Sequence, residues 1–87
     1  MGAEQQSNRP EQSLRYGGVE AAIWRNKGEN GDFLNTTFTR HFRQEDEWKQ
    51  TDSFREQDLP TLSKIAADAH TVIQEIKTAD RAAQEEK

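Results

Sequence analysis

Chemistry needs side chains that ionise, ligate or stack, and in this chain of 87 residues they are few. His41 and His70 are the only histidines and there is no cysteine, so neither imidazole has a second histidine or a thiolate at metal-ligand spacing. His41 falls in a β-branched, aromatic stretch. His70 lies beside the apolar stripe of a helical one, which suits a boundary residue better than a ligand. Glu45-Asp46-Glu47 lacks the alternating oxygen ligands of a calcium loop and reads as a solvated loop tip. The glycines form neither a phosphate-binding loop nor a nucleophile elbow. Together these residues point away from an enzyme, a metal and a cofactor.

The remaining chemistry is stacking and charge. Trp24 has Lys27 close by in the chain, and the segment after it carries Thr37, Thr39 and Arg43, with Lys49 further on. A tryptophan set among polar and cationic side chains is how single-strand binding surfaces are built, with bases on the ring and phosphates on the cations. Threonine-rich faces are also what solvent-exposed antiparallel strands look like, and an exposed tryptophan is common at homodimer interfaces. Which reading applies depends on whether the fold places these residues on one surface.

Residues 19–25 (VEAAIWR) alternate well enough for a strand, residues 33–43 (FLNTTFTRHFR) for a second, central one, and residues 47–54 (EWKQTDSF) for a third. Asn30-Gly31 is the best hairpin signal, since both residues accept a positive φ. With those two as the turn, Ile23 faces Phe38 and Val19 faces Phe42. The large apolar residues then share one side, except Trp24 and Phe33, and a one-residue slip would scatter them. Arg40 points inward opposite Ala21 in that register and needs a carboxylate or a route to solvent. For the third strand, a three-residue loop (Gln44-Glu45-Asp46) pairs Phe42 with Trp48 and Thr36 with Phe54, so both aromatics are expected in the core; Asp52 could then meet Arg40. A two- or four-residue loop turns the aromatics outward and leaves Lys49, Thr51 and Ser53 facing the helix.

After Asp58, a good N-cap, and Pro60, which suits a first turn, Leu62, Ile65, Ala69, Val72, Ile76, Ala79 and Ala83 mark an unbroken heptad stripe. A helix over residues 59–87 would be about 43 Å long, whereas an eight-residue strand spans about 27 Å. The helix is therefore expected to outrun its sheet from about Ile76, either fraying or pairing with a second subunit. Val72, Ile76, Ala79 and Ala83 are the candidate oligomer interface.

The expected fold is α+β: a three-stranded antiparallel meander, with a fourth strand available from residues 14–18, followed by one long C-terminal amphipathic helix. Residues 1–13 read as a disordered arm, 14–78 as a single domain, and 79–87 as a fraying helix end or polar tail. A core this small is marginal, and without disulfides oligomerisation is the common remedy, so a homodimer is expected. The net charge of −4 argues against general electrostatic affinity for nucleic acid, although part of the acid (Glu4, Glu11, Glu85, Glu86) lies in the tails. No apolar run approaches a membrane span, and a cytoplasmic location is the default.

Ala22-Ile23-Trp24-Arg25-Asn26, Gly28-Glu29-Asn30-Gly31, Thr37-Phe38, Trp48-Lys49, Ser53-Phe54, Asp58-Leu59 and Ala69-His70 together resemble a family of short uncharacterised bacterial proteins. The match covers about residues 16–76, and its most specific part runs from Trp24-Arg25-Asn26 to Asn30-Gly31. That resemblance implies a bacterial, cytosolic, single-domain protein and carries no functional residue across. More distantly, strands followed by a long helix look like the Whirly and purine-rich-element-binding subunits, which dimerise and bind single-stranded nucleic acid. Those have four strands before the helix and more basic sheets. The reading these observations favour is a non-enzymatic binding module for single-stranded DNA or RNA, with a protein-interaction or structural oligomer as the alternative.

Overall fold

The computed structural model of the chain describes residues 9–85. Four strands, β1 (Gln12–Tyr16), β2 (Val19–Gly28), β3 (Gly31–Gln44) and β4 (Glu47–Thr51), form one antiparallel sheet in the order β1-β2-β3-β4. A single 3-10 turn (Glu56–Asp58) leads into the helix α1 (Leu59–Glu85). The fold is α+β, with the sheet first and one long helix packed on one of its faces.

Gly17-Gly18 joins β1 to β2, pairing Tyr16 with Val19, Leu14 with Ala21 and Gln12 with Ile23. The fourth strand is thus present, and Gln12 and Ser13 belong to it rather than to an arm; residues 1–8 of that arm lie outside the described residues. Alternation places Leu14 and Tyr16 on the helix side of the sheet, with Val19, Ala21 and Ile23.

The β2–β3 hairpin has the expected faces but a different register. Ala21 pairs with Phe38, Ile23 with Thr36 and Val19 with Arg40, two residues away from the expected partners. The turn closes on Glu29 and Asn30, with Gly28 opposite Gly31. The positive φ falls on Gly31 alone, at +120°, a conformation that side-chain-bearing residues rarely adopt. Because side chains alternate with period two, a shift of two leaves every residue on its own face. The apolar pattern therefore fixed the face and did not fix the partner.

The β3–β4 hairpin overturns an expectation. Its turn has two residues, Glu45 and Asp46, with φ of +52° and +67°. This primed conformation matches the right-handed twist of the flanking strands, which outweighs the cost of placing two non-glycine residues there. Phe42 consequently faces Lys49, and Arg43 faces Trp48. Trp48 is 67% exposed instead of buried. Phe54 lies beyond the end of β4 and packs against the core after all. Arg40 faces the helix side as expected, but its partners are the Ser53 carbonyl (Nε to O 3.0 Å) and Asp58 (3.5 Å), not Asp52.

Val19, Ala21 and Ile23 of β2 meet Ile65 and Ala69 of α1 at the centre of the core. Leu34, Phe38, Leu62, Val72, Ile73 and Ile76 pack around them. The helix does not outrun its sheet. Its 27 residues make about 40 Å, while the ten residues of β2 and fourteen of β3 make about 34 and 48 Å, far longer than an eight-residue strand. Val72 and Ile76 are accordingly seated on their own core, and Asp80 reaches back to Arg25 of β2 at 3.1 Å. Of the candidate interface residues, Ala79 and Ala83 are exposed, and the helix continues regularly to Glu85. Asp58 caps differently from expected: its carboxylate accepts the Arg55 N–H at 3.1 Å and so closes the 3-10 turn.

Candidate nucleic-acid interface

The helix covers one face of the sheet. The other carries Arg15 from β1, Glu20, Ala22 and Trp24 from β2, Asn35, Thr37, Thr39, His41 and Arg43 from β3, and Trp48 and Gln50 from β4, as the pairings and the alternation require. Trp24 is half-buried, and its indole N–H donates to Thr37 Oγ1 at 3.0 Å. His41 Nε2 lies 2.7 Å from Glu20 Oε1 on the neighbouring strand. These contacts hold the centre of the face in fixed rotamers. From Asn35, opposite Trp24, to Arg43, opposite Trp48, the face runs about 27 Å along β3.

Of the six residues expected to bind nucleic acid, four share this face: Trp24, Thr37, Thr39 and Arg43. Lys27 and Lys49 do not. Lys27 pairs with Asp32 inside β2 rather than standing in the turn, and its position in the alternation is that of Arg25 and Ile23, on the helix side. Lys49 stands opposite Phe42, also on the helix side, because the two-residue turn inverted β4 relative to the expected register. The same inversion brings in a residue that was expected in the core. Trp48 lies beside Arg43, whose guanidinium sits 5.8 Å from the ring centroid, within reach of a cation–π contact.

At this end the strands are uneven. The β1–β2 hairpin stops at Gly17-Gly18, while β3 and β4 run on to the turn at Glu45 and Asp46. The His41 N–H donates to Gly18 O at 2.7 Å, as the two hairpins part. Gly18 has to be glycine there, since a Cβ would lie 2.8 Å from the His41 carbonyl oxygen. The step leaves a cleft of about 390 Å³, lined by Arg15, Gly17, Gly18, Arg40, His41, Phe42, Arg43, Trp48, Arg55 and Asp58. Its lining thus includes four arginines and one acidic residue.

Each guanidinium is held in place. Arg15 Nε donates to Gly17 O at 3.2 Å, and Arg43 lies 3.8 Å from Asp46 across the turn. Arg40 stacks over Phe42 at 5.0 Å and pairs with Asp58. Arg55 reaches the same Asp58 carboxylate at 3.3 Å. Burial alone would push the Asp58 carboxyl up; the Arg55 N–H and guanidinium, with the Arg40 charge behind them, instead hold it below the ordinary carboxylate range. An ionised carboxylate thus stands between two arginines in the lining of the cleft.

Arg15, Arg40 and Arg55 were not among the expected site residues. A signal for the first was present: Gly17-Gly18 between Leu14/Tyr16 and Val19/Ala21 is a two-residue hairpin pattern, which brings β1 and Arg15 onto the sheet. Nothing in the local sequence brings Arg55, beyond the last strand, next to Arg40. No group of three or more His, Cys, Asp or Glu side chains that could hold a metal ion occurs among the described residues. Likewise, no helix among them is long and apolar enough to cross a membrane.

No family model matches the chain, and none of the curated proteins or solved structures compared with it is similar to it.

Proposed function

We propose that this chain is a small binding module for single-stranded nucleic acid, which it takes on the sheet face opposite the helix. The observation that carries the reading is the Trp48–Arg43 pair: an indole 67% exposed with a guanidinium against it, at the end of a polar strand face. Base stacking on Trp48 is sequence-tolerant, because every base has a π-face, and Arg43 supplies the adjoining phosphate contact. From there the strand follows β3 past Thr39 and Thr37, whose polar side chains meet sugar and backbone, towards Trp24. The bond from Trp24 to Thr37 leaves the indole edge-anchored, so Trp24 closes the path and Trp48 is the principal platform.

The chain's total of −4 means that affinity must come from this face and not from the overall field. Binding of a labelled oligonucleotide is therefore expected to be modest and steeply salt-dependent. The logarithm of the binding constant should fall linearly with the logarithm of salt, with a slope of about −0.7 for each phosphate contact. No salt-dependent binding at low ionic strength would defeat the proposal.

A second reading is a protein contact at the same end, with a homodimer as its simplest case. It is favoured by Leu59, 50% exposed at the start of α1, in addition to Trp48. Sedimentation showing only a 10.0 kDa species at high concentration would remove the homodimer.

A further inference from the structure

The open-face path does not run off the molecule at both ends alike. Beyond Trp48 it meets the step where Gly17-Gly18 stops and β3–β4 continues, and the cleft there turns from the open face towards Arg40 and Arg55. Its lining holds four arginines against Asp58, with Asp46 beside Arg43, a local excess of positive charge in a chain whose total is −4. A phosphodiester inside a strand presents one negative charge. A phosphate monoester at a strand end carries about −1.5 to −2 at neutral pH, with three strong acceptor oxygens. Guanidinium forks match such oxygens in pairs, and several converging arginines discriminate for the more highly charged group. The cleft is also of a size that holds a small ligand, about 390 Å³, where the flat part of the face is not.

We propose that the cleft seats the terminal phosphate monoester of a single strand, with the neighbouring base on Trp48. This rests on the strand-binding reading of the open face and adds to it a preference for ends. Asp58 sets the strength of the preference. Its carboxylate lies 3.5 Å from Arg40 and 3.3 Å from Arg55, and so neutralises much of their charge. Arg15, whose bond within the cleft is to the Gly17 carbonyl, supplies the least compensated charge.

The test uses one short oligonucleotide with an internal fluorophore, prepared with a 5′-phosphate, with a 3′-phosphate, or with hydroxyls at both ends. Anisotropy titrations of the full chain should show one phosphorylated form binding at least about tenfold more tightly than the hydroxyl-ended form, as expected for charge-assisted hydrogen bonds to a dianion. Which of the two binds tighter gives the polarity of the strand. Arg15→Gln should erase this gap, whatever it does to hydroxyl-ended binding. Arg55→Gln, a substitution at an exposed side chain, should narrow the gap and reads it independently should Arg15→Gln not fold. Asp58→Asn, which keeps an acceptor for the Arg55 N–H, should widen it. Three forms binding equally would overturn the end pocket while leaving the strand reading in place. Failure of all three to bind would defeat both.

Discussion

Trp48 and Lys49 are neighbours in the chain and stand on opposite faces of the sheet, and the turn at Glu45 and Asp46 decides which is which. Trp48→Ala should therefore change stability by less than about 0.5 kcal/mol in urea unfolding, as is usual for surface positions. Ile65→Ala, at a side chain with no exposure, should cost about 2–5 kcal/mol. Equal losses would mean that Trp48 is core and the register wrong. Asp46 sits at φ +67°, so Asp46→Gly should relieve the left-handed strain and raise stability by about 0.5–1 kcal/mol, the relief being partly offset by glycine's greater freedom in the unfolded chain. The sequence favoured burying Trp48 because apolar residues usually take core positions. It carried no counter-signal, since neither Glu45 nor Asp46 announces a primed turn as glycine does. Arg40 was legible as a buried charge in need of a partner, but its partner, Asp58, arrives from beyond the sheet.

At the scale of elements, β1 is held to β2 by the ladder and to the helix by side chains. The Tyr16 hydroxyl donates to Asp68 Oδ2, and Lys64 Nζ lies 3.2 Å from the other Asp68 oxygen. The Tyr16 hydroxyl first, and Lys64 after it, keep the Asp68 carboxyl below its ordinary range; the same bond to Asp68 raises Tyr16 above its own. A carboxyl with a lowered folded pKa contributes stability that is complete above its unfolded value, near 4, and is lost as pH falls through the folded value. Asp68 and Asp58 should thus make the fold increasingly acid-sensitive below about pH 4. Tyr16 gives the opposite limb: its contribution is complete below about pH 10 and is lost as pH rises through the raised value. Thermal melts followed by circular dichroism should show both limbs. In Tyr16→Phe the alkaline limb should shrink and the acid limb should flatten, because Asp68 loses its principal proton donor. An unchanged profile would mean that the latch does not contribute. The helix phase and the face of each β2 and β3 residue were readable from periodicity. The length of the hairpin was not: strands of ten and fourteen residues also take in Asn26, Lys27, Gly28, Gly31, Asp32 and Gln44, whose polarity and glycines mark turn or loop. That misjudged length made the helix look too long for its sheet.

For the molecule as a whole, an acidic chain gathers four arginines and an exposed tryptophan around a cleft at one end of the sheet, two of the arginines on the open face and two beyond it. The sheet-then-helix architecture followed from local pattern. The charge cluster did not, because its members come from β1, β3 and the segment after β4, and only the folded hairpins bring them together. The most direct test is the affinity of a labelled hydroxyl-ended single strand for three proteins at low salt: wild type, Trp48→Ala and Lys49→Ala. Loss of a stacked base costs about 1–3 kcal/mol, so Trp48→Ala should weaken binding by roughly five- to 150-fold. Lys49→Ala, on the helix side of the same strand, should bind as the wild type does. Equal weakening by both, or full affinity in Trp48→Ala, would contradict the open face as the binding surface.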